Sequence, residues 1–131
     1  MIGLDTNVLV RLLTQDDPEQ ARRAEKLLAK QEGVASAFYV NQTVLVELAW
    51  TLRSAYDLPQ TDTTRAVRAL LENSAFSLEG TEEVRRALTL AEATGADFPD
   101  CLIVAKNAAA GCANTVTFDR DMQKALGAQP C

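Results

Sequence analysis

Four acids stand out because each interrupts apolar sequence: Asp5 after Ile2-Gly3-Leu4, Glu47 within Val44-Leu45-Val46-Glu47-Leu48, Asp100 before Cys101-Leu102-Ile103-Val104, and Asp119 after Val116-Thr117-Phe118. A carboxylate near a core is costly to keep charged, and several together repel one another until a proton or a cation compensates. Oxygen-only donors suit hard divalent cations, and magnesium uses few carboxylates while keeping waters that a substrate phosphate can replace. Acids gathered at strand ends are such a site. The chain contains no histidine, which removes Ser-His-Asp and Cys-His triads, His-ligated zinc and imidazole acid–base chemistry. Any hydrolysis here therefore rests on carboxylates, Lys, Tyr or metal. The cysteines Cys101, Cys112 and Cys131 are odd in number and lack a C-x-x-C pair, so they indicate neither a disulfide framework nor a zinc knuckle.

Each acid taken alone also has a purely structural explanation. Asp5 can cap the helix that follows it, and Asp97 or Asp100 can cap the helix entered at Pro99. Glu47 shares a polar stripe with Thr43, Thr51 and Ser54 at helical spacing, which is how a solvent face reads. Asp119 and Asp121 fit a turn after a strand. Their joint placement shifts the balance: two acids directly follow expected strands, one opens a helix, and one is embedded in an apolar helix.

The elements that must position these acids alternate between short apolar runs and helices. Met1–Leu4 reads as a buried strand, with a helix starting near Asn7. Asp17-Pro18 is a capped helix entry that runs to a stop at Gly33. Val34–Phe38 is expected as the second strand. Asn41 or Thr43 opens an apolar helix extending to about Tyr56, and Thr61-Asp62 caps the next. Ala75–Leu78 is a third strand, Thr81 caps a helix that ends at Gly95, and Pro99 enters one that ends at Gly111. Thr115–Phe118 is the last clear strand. This alternation implies an α/β fold, a three-layer α/β/α sandwich around a central, mostly parallel sheet. Ligands of such sheets gather at the carboxyl ends of the strands.

Length and composition set outer bounds. The chain has 131 residues, 47% apolar and 24% charged, the balance of one soluble globular domain spanning 1–131. The opening residues carry no basic n-region and no apolar run is long enough to span a membrane, so a cytoplasmic location is expected. The net charge of −5 argues against coating nucleic acid through bulk electrostatics, although bound divalent cations would offset the acids of a metal site. Arg22, Lys26 and Lys30 share a helical face, but Glu19–Arg23 and Glu82–Arg86 pairs make solvated faces the simpler account of these basic residues. Trp50 and Tyr56 are expected in the core, as aromatic residues at helical spacing usually are. No RNA-binding residue is assigned.

Taken together, Leu4-Asp5-Thr6-Asn7-Val8-Leu9-Val10, Val46-Glu47-Leu48, Phe98-Pro99-Asp100-Cys101-Leu102-Ile103 and Thr117-Phe118-Asp119-Arg120-Asp121-Met122 resemble a PIN domain. In size and spacing the chain is more narrowly similar to the VapC-type toxins of bacterial and archaeal toxin–antitoxin pairs. The resemblance covers nearly the whole chain and rests on four motifs in order rather than on any one of them. It implies a ribonuclease dependent on Mg2+ or Mn2+, with one or two ions, acting as a homodimer and held inactive by a small antitoxin. Carried over, it makes Asp5, Glu47, Asp100 and Asp119 the catalytic, metal-binding acids, with Asp5 and Asp100 as principal ligands. Asn7 and Thr117 would support them by hydrogen bonding, and Asp97 and Asp121 would be auxiliary. The chain departs from the family pattern at Pro99 and Cys101, where alanine is usual, and in its brief C-terminus after Gly127, which predicts a stunted or missing last strand. A housekeeping PIN nuclease and a non-catalytic PIN-like binding domain are the competing readings. A receiver or aspartyl phosphatase is disfavoured, since Asn7 stands where the phosphatase would place a second acid.

Overall fold

A computed structural model describes residues 1–131. In chain order its elements are β1 (Ile2–Gly3), α1 (Thr6–Thr14), α2 (Pro18–Ala29), β2 (Phe38–Val40), α3 (Gln42–Ser54), α4 (Gln60–Glu72), β3 (Phe76–Leu78), α5 (Thr81–Thr94), α6 (Phe98–Ala109), β4 (Val116–Thr117), α7 (Arg120–Leu126) and β5 (Gln129–Pro130). Seven helices and uniformly parallel strand pairs make this an α/β fold of the three-layer α/β/α kind. No helix is long and apolar enough to cross a membrane.

Local chemistry sets many of the helix starts. The Asp17 side chain accepts from the Gln20 amide and Pro18 occupies the first turn, so α2 begins with an orphan donor satisfied and a missing one tolerated. Asn41 does the same for α3, its Oδ1 accepting from the Val44 amide at 2.9 Å. At the other end of α5, Gly95 takes the left-handed conformation, φ 74°, that a residue with a side chain would resist, and so turns the chain toward α6.

Other boundaries differ from expectation. Helix α2 stops at Ala29, and Gly33 closes the turn that follows rather than the helix itself. The second strand starts at Phe38, not Val34. Val34 is 49% exposed and Ser36 is left-handed, while pairing begins only where Phe38 meets Phe76. Pro59, not Thr61, is the N-terminal cap of α4, and Gly80 rather than Thr81 caps α5.

The sheet also departs from a single central layer. Strands β1, β2 and β3 pair in that order, with Ile2 opposite Phe38 and Val40 opposite Leu78, whereas β4 pairs only with β5. The expected stunted last strand is present as two residues. The core is built from Leu9 and Val10 of α1, Phe38 and Val40 of β2, Leu45, Leu48 and Leu52 of α3, Val67 of α4, Leu88 of α5, and Phe98 and Leu102 of α6. The unit from β4 to β5 buries its own Met122 and Ala128 and rests on α5 and α6. That placement brings Asp119 and Asp121 to the start of α6.

Candidate functional site

The turn from α5 into α6 borders a cleft lined by four aspartates. Asp97 is the N-terminal cap of α6, Pro99 lies in its first turn, and Asp100 follows, half-buried. Asp97, Asp100, Asp119 and Asp121 line one cleft of about 320 Å³, with Gln60 and Lys124 on its walls. Burial first, and then the neighbouring charges of Asp97, Asp119 and Asp121, push the Asp100 carboxyl above the usual carboxylate range. No side chain donates a hydrogen bond to Asp100 itself.

The other acids of the cleft are partly engaged. Asp97 forms an ion pair with Arg53 Nη1 at 3.3 Å and accepts from Gln60 Nε2 at 2.8 Å. Asp119 caps α7, its Oδ1 accepting from the amides of Asp121 at 2.8 Å and Met122 at 3.2 Å, which leaves Oδ2 without a partner. The Thr117 hydroxyl accepts from the Asp119 amide at 3.0 Å and so fixes the backbone from which that carboxylate projects.

Asp5 and Glu47 occupy a second location. Asp5 stands at the N-terminal cap position of α1, immediately after β1, but its side chain makes no capping bond and remains exposed. Thr6 is buried and donates from Oγ1 to Glu47 Oε2 at 2.9 Å, tying the start of α1 to α3. Glu47 lines a cleft between α3 and α6 together with Val46, Pro99, Ile103 and Lys106. Pro99 directly precedes Asp100, so the two acidic locations meet at the first turn of α6. Asn7 lines a separate groove between α1 and α2 with Arg11, Gln20 and Arg23, and bonds none of the acids.

The structure thus brings Asp97, Asp100, Asp119 and Asp121 around one cleft and places Asp5 and Glu47 beside Thr6. Nowhere do three acids or cysteines converge into a ready ligand set. The donor chemistry fits a hard divalent cation, being all oxygen, and the elevated Asp100 marks a point where positive charge is favourable. As the side chains stand, the fit is one of kind and not yet of placement. Cys101 offers no competing chemistry, because burial and the nearby Asp100 and Asp97 push its thiol up to about 11, far from the thiolate that reacts.

Thr6, Gln60 and Arg53 contact the candidate acids and are not among the residues expected from the sequence. Thr6 carried a signal, as a small polar residue inside the apolar run from Leu4 to Val10. Gln60 and Arg53 carried none, since each reaches Asp97 from a helix distant in sequence.

No curated protein matches the chain. The PIN domain family matches residues 2–127, nearly the full length, with each acid of the two locations inside the matched span. On that match the chain belongs to the PIN domain family, whose fold is of the nuclease type.

Proposed function

We propose that this chain is a ribonuclease dependent on Mg2+ or Mn2+, one domain spanning residues 1–131. In this reading it acts in the cytoplasm as the homodimeric toxin of a toxin–antitoxin pair, neutralised by a small antitoxin. The observation that carries the nuclease reading is Asp100, half-buried at a helix start, facing three other carboxylates with no compensating donor. A buried acid without a donor, perturbed by its neighbours in a cleft, is what a cation site offers. The toxin assignment rests on the order and spacing of the four acidic motifs.

In this reading Asp5 and Asp100 are the principal ligands, Glu47 and Asp119 complete the set, and Asp97 and Asp121 are auxiliary. A bound cation would polarise the scissile phosphate and lower the pKa of an attacking water. The chain's own residues supply position. Thr6 holds Glu47, the cap on α7 fixes one oxygen of Asp119 and leaves the other free, and Arg53 with Gln60 restrains Asp97. Thr117 supports Asp119 through the backbone, and Asn7 is assigned a supporting role from the motif alone. RNA is held chiefly through its phosphates, which the acidic cleft can admit only once cations neutralise it.

The test is Asp5→Asn, which is expected to abolish manganese-dependent cleavage of RNA while leaving the circular dichroism spectrum unchanged. Undiminished cutting by that variant would overturn the site assignment. A second reading, a PIN-fold binding domain without catalysis, is favoured by one observation, the lack of three converging acids. Calorimetric titration of the unaltered chain with manganese separates the two, because a degenerate site takes up no ion. A short neighbouring reading frame encoding a DNA-binding head and a disordered tail distinguishes a toxin from a housekeeping nuclease.

A further inference from the structure

Trp50 is the chain's only tryptophan, and it is 67% exposed on α3. The core position expected for it is therefore overturned. The ring borders a cleft of about 330 Å³ whose floor is Ala49, Phe98 and Pro99 and whose walls carry Arg53, Ser54, Gln60, Thr63 and Asp97. That volume lies at the small end of the ~300–1,000 Å³ range of small-molecule sites. Gln60 and Asp97 line both this cleft and the acidic one, so the two adjoin along the Arg53–Asp97–Gln60 contacts.

Each wall has a defined capacity. Arg53 spends one nitrogen on Asp97, and its other guanidinium donors have no partner in the fold. Gln60 donates to Asp97 through Nε2, which leaves its Oε1 free to accept. Ser54 and Thr63 satisfy themselves on backbone carbonyls of Trp50 and Pro59. An exposed aromatic face, a free guanidinium edge and an open amide oxygen form the combination that grips an unpaired base: the ring stacks on it, and the polar groups meet its edge and phosphate.

We propose that Trp50 and Arg53 form a nucleobase subsite for single-stranded RNA, holding the base of a nucleotide next to the phosphate that enters the acidic cleft. The inference rests on the ribonuclease reading above and adds a substrate-binding position to it. The competing occupant is a protein surface, since Val46 and Ile103 extend the exposed apolar strip beyond Trp50. The polar walls favour the base. Arg53, Ser54, Gln60, Thr63 and Asp97 outnumber the apolar lining residues, whereas the buried centre of a protein interface is depleted in charged groups. Contact with the acidic cleft also places this pocket where a chain of nucleotides must run.

Because Trp50 is the sole tryptophan, its fluorescence reports the subsite directly. The full chain with manganese chloride is titrated with a short single-stranded adenylate oligomer whose linkages are phosphorothioates. A saturable quench is expected. On cleavable RNA, Trp50→Ala should raise KM by about tenfold with kcat within about twofold, and Trp50→Phe should recover most of the loss, since a smaller ring still stacks. If the chain cuts RNA but shows no quench, and Trp50→Ala leaves KM unchanged, the subsite is overturned and the nuclease reading stands. If the quench occurs without any cleavage, the subsite stands and the nuclease reading falls. A change of oligomeric state in Trp50→Ala by light scattering, with KM unaltered, would assign this face to protein contact and overturn the proposal.

Discussion

Asp16 and Asp100 show two opposite treatments of the same carboxylate. Asp16 sits at the junction of α1 and α2 and gathers partners: Tyr56 donates to it at 2.6 Å, Thr14 donates at 2.9 Å, and Arg11 forms an ion pair at 3.1 Å. Led by the Tyr56 bond, these contacts pull its carboxyl below the usual range. Asp100 lies deeper, has no donor, and faces three further acids, so its carboxyl is pushed up. The first arrangement lowers the energy of the folded chain, and the second raises it. Burial without a donor beside like charges opposes folding until a proton or a cation compensates, which is the cost that the proposed cation site would recover.

The contrast is tested most severely by Asp100→Asn. Removing the charge should cut manganese-dependent RNA cleavage by at least about 100-fold, more than loss of a supporting group costs. In metal-free buffer the same variant should melt about 2–5 °C higher, as relief of repulsion stabilises the domain. Activity lost with a lower melting temperature would make Asp100 a structural residue and erase the contrast. Asp16→Asn should do the reverse, melting lower at neutral pH with cleavage intact. Its pH dependence follows from the depressed carboxyl. The stabilisation is present above the pKa of the unfolded chain and disappears as pH falls through the lower folded value. Melting curves of Asp16→Asn and the unaltered chain should therefore converge as pH drops from 7 to about 2. A gap that persists in acid would show that Asp16 acts through shape rather than charge. The smallest effect belongs to Tyr56→Phe, which removes one donor to Asp16 and one acceptor from Arg11. Its melting temperature should fall by about 1–3 °C, with RNA cleavage unchanged.

What was legible in the sequence was mostly local. Asp17-Pro18, Asn41 and Gly95 each act within a few residues of chain, through a capping oxygen, a missing amide or a tolerated positive φ, so their places could be read directly. The Val34 strand could not be placed that way. An apolar run becomes a strand only where it finds a partner, and here pairing starts at Phe38, beside Phe76. Trp50 illustrates the same limit for burial, since helical spacing puts it on a face but does not say whether another element covers that face. The split of the sheet depends on the seat of the β4–β5 unit against α5 and α6, which no local motif encodes.

By itself the sequence determined the kind of chemistry available: no imidazole, acids interrupting apolar runs, parallel α/β alternation, and the motif order shared with one family. The tertiary structure decided which acids share an environment. It set Asp100 among Asp97, Asp119 and Asp121, locked Asp97 to Arg53 and Gln60, and gave Glu47 to Thr6 across 41 residues of chain. Proximity and desolvation decide whether a carboxylate is stabilised or strained, and both arise only when distant segments pack.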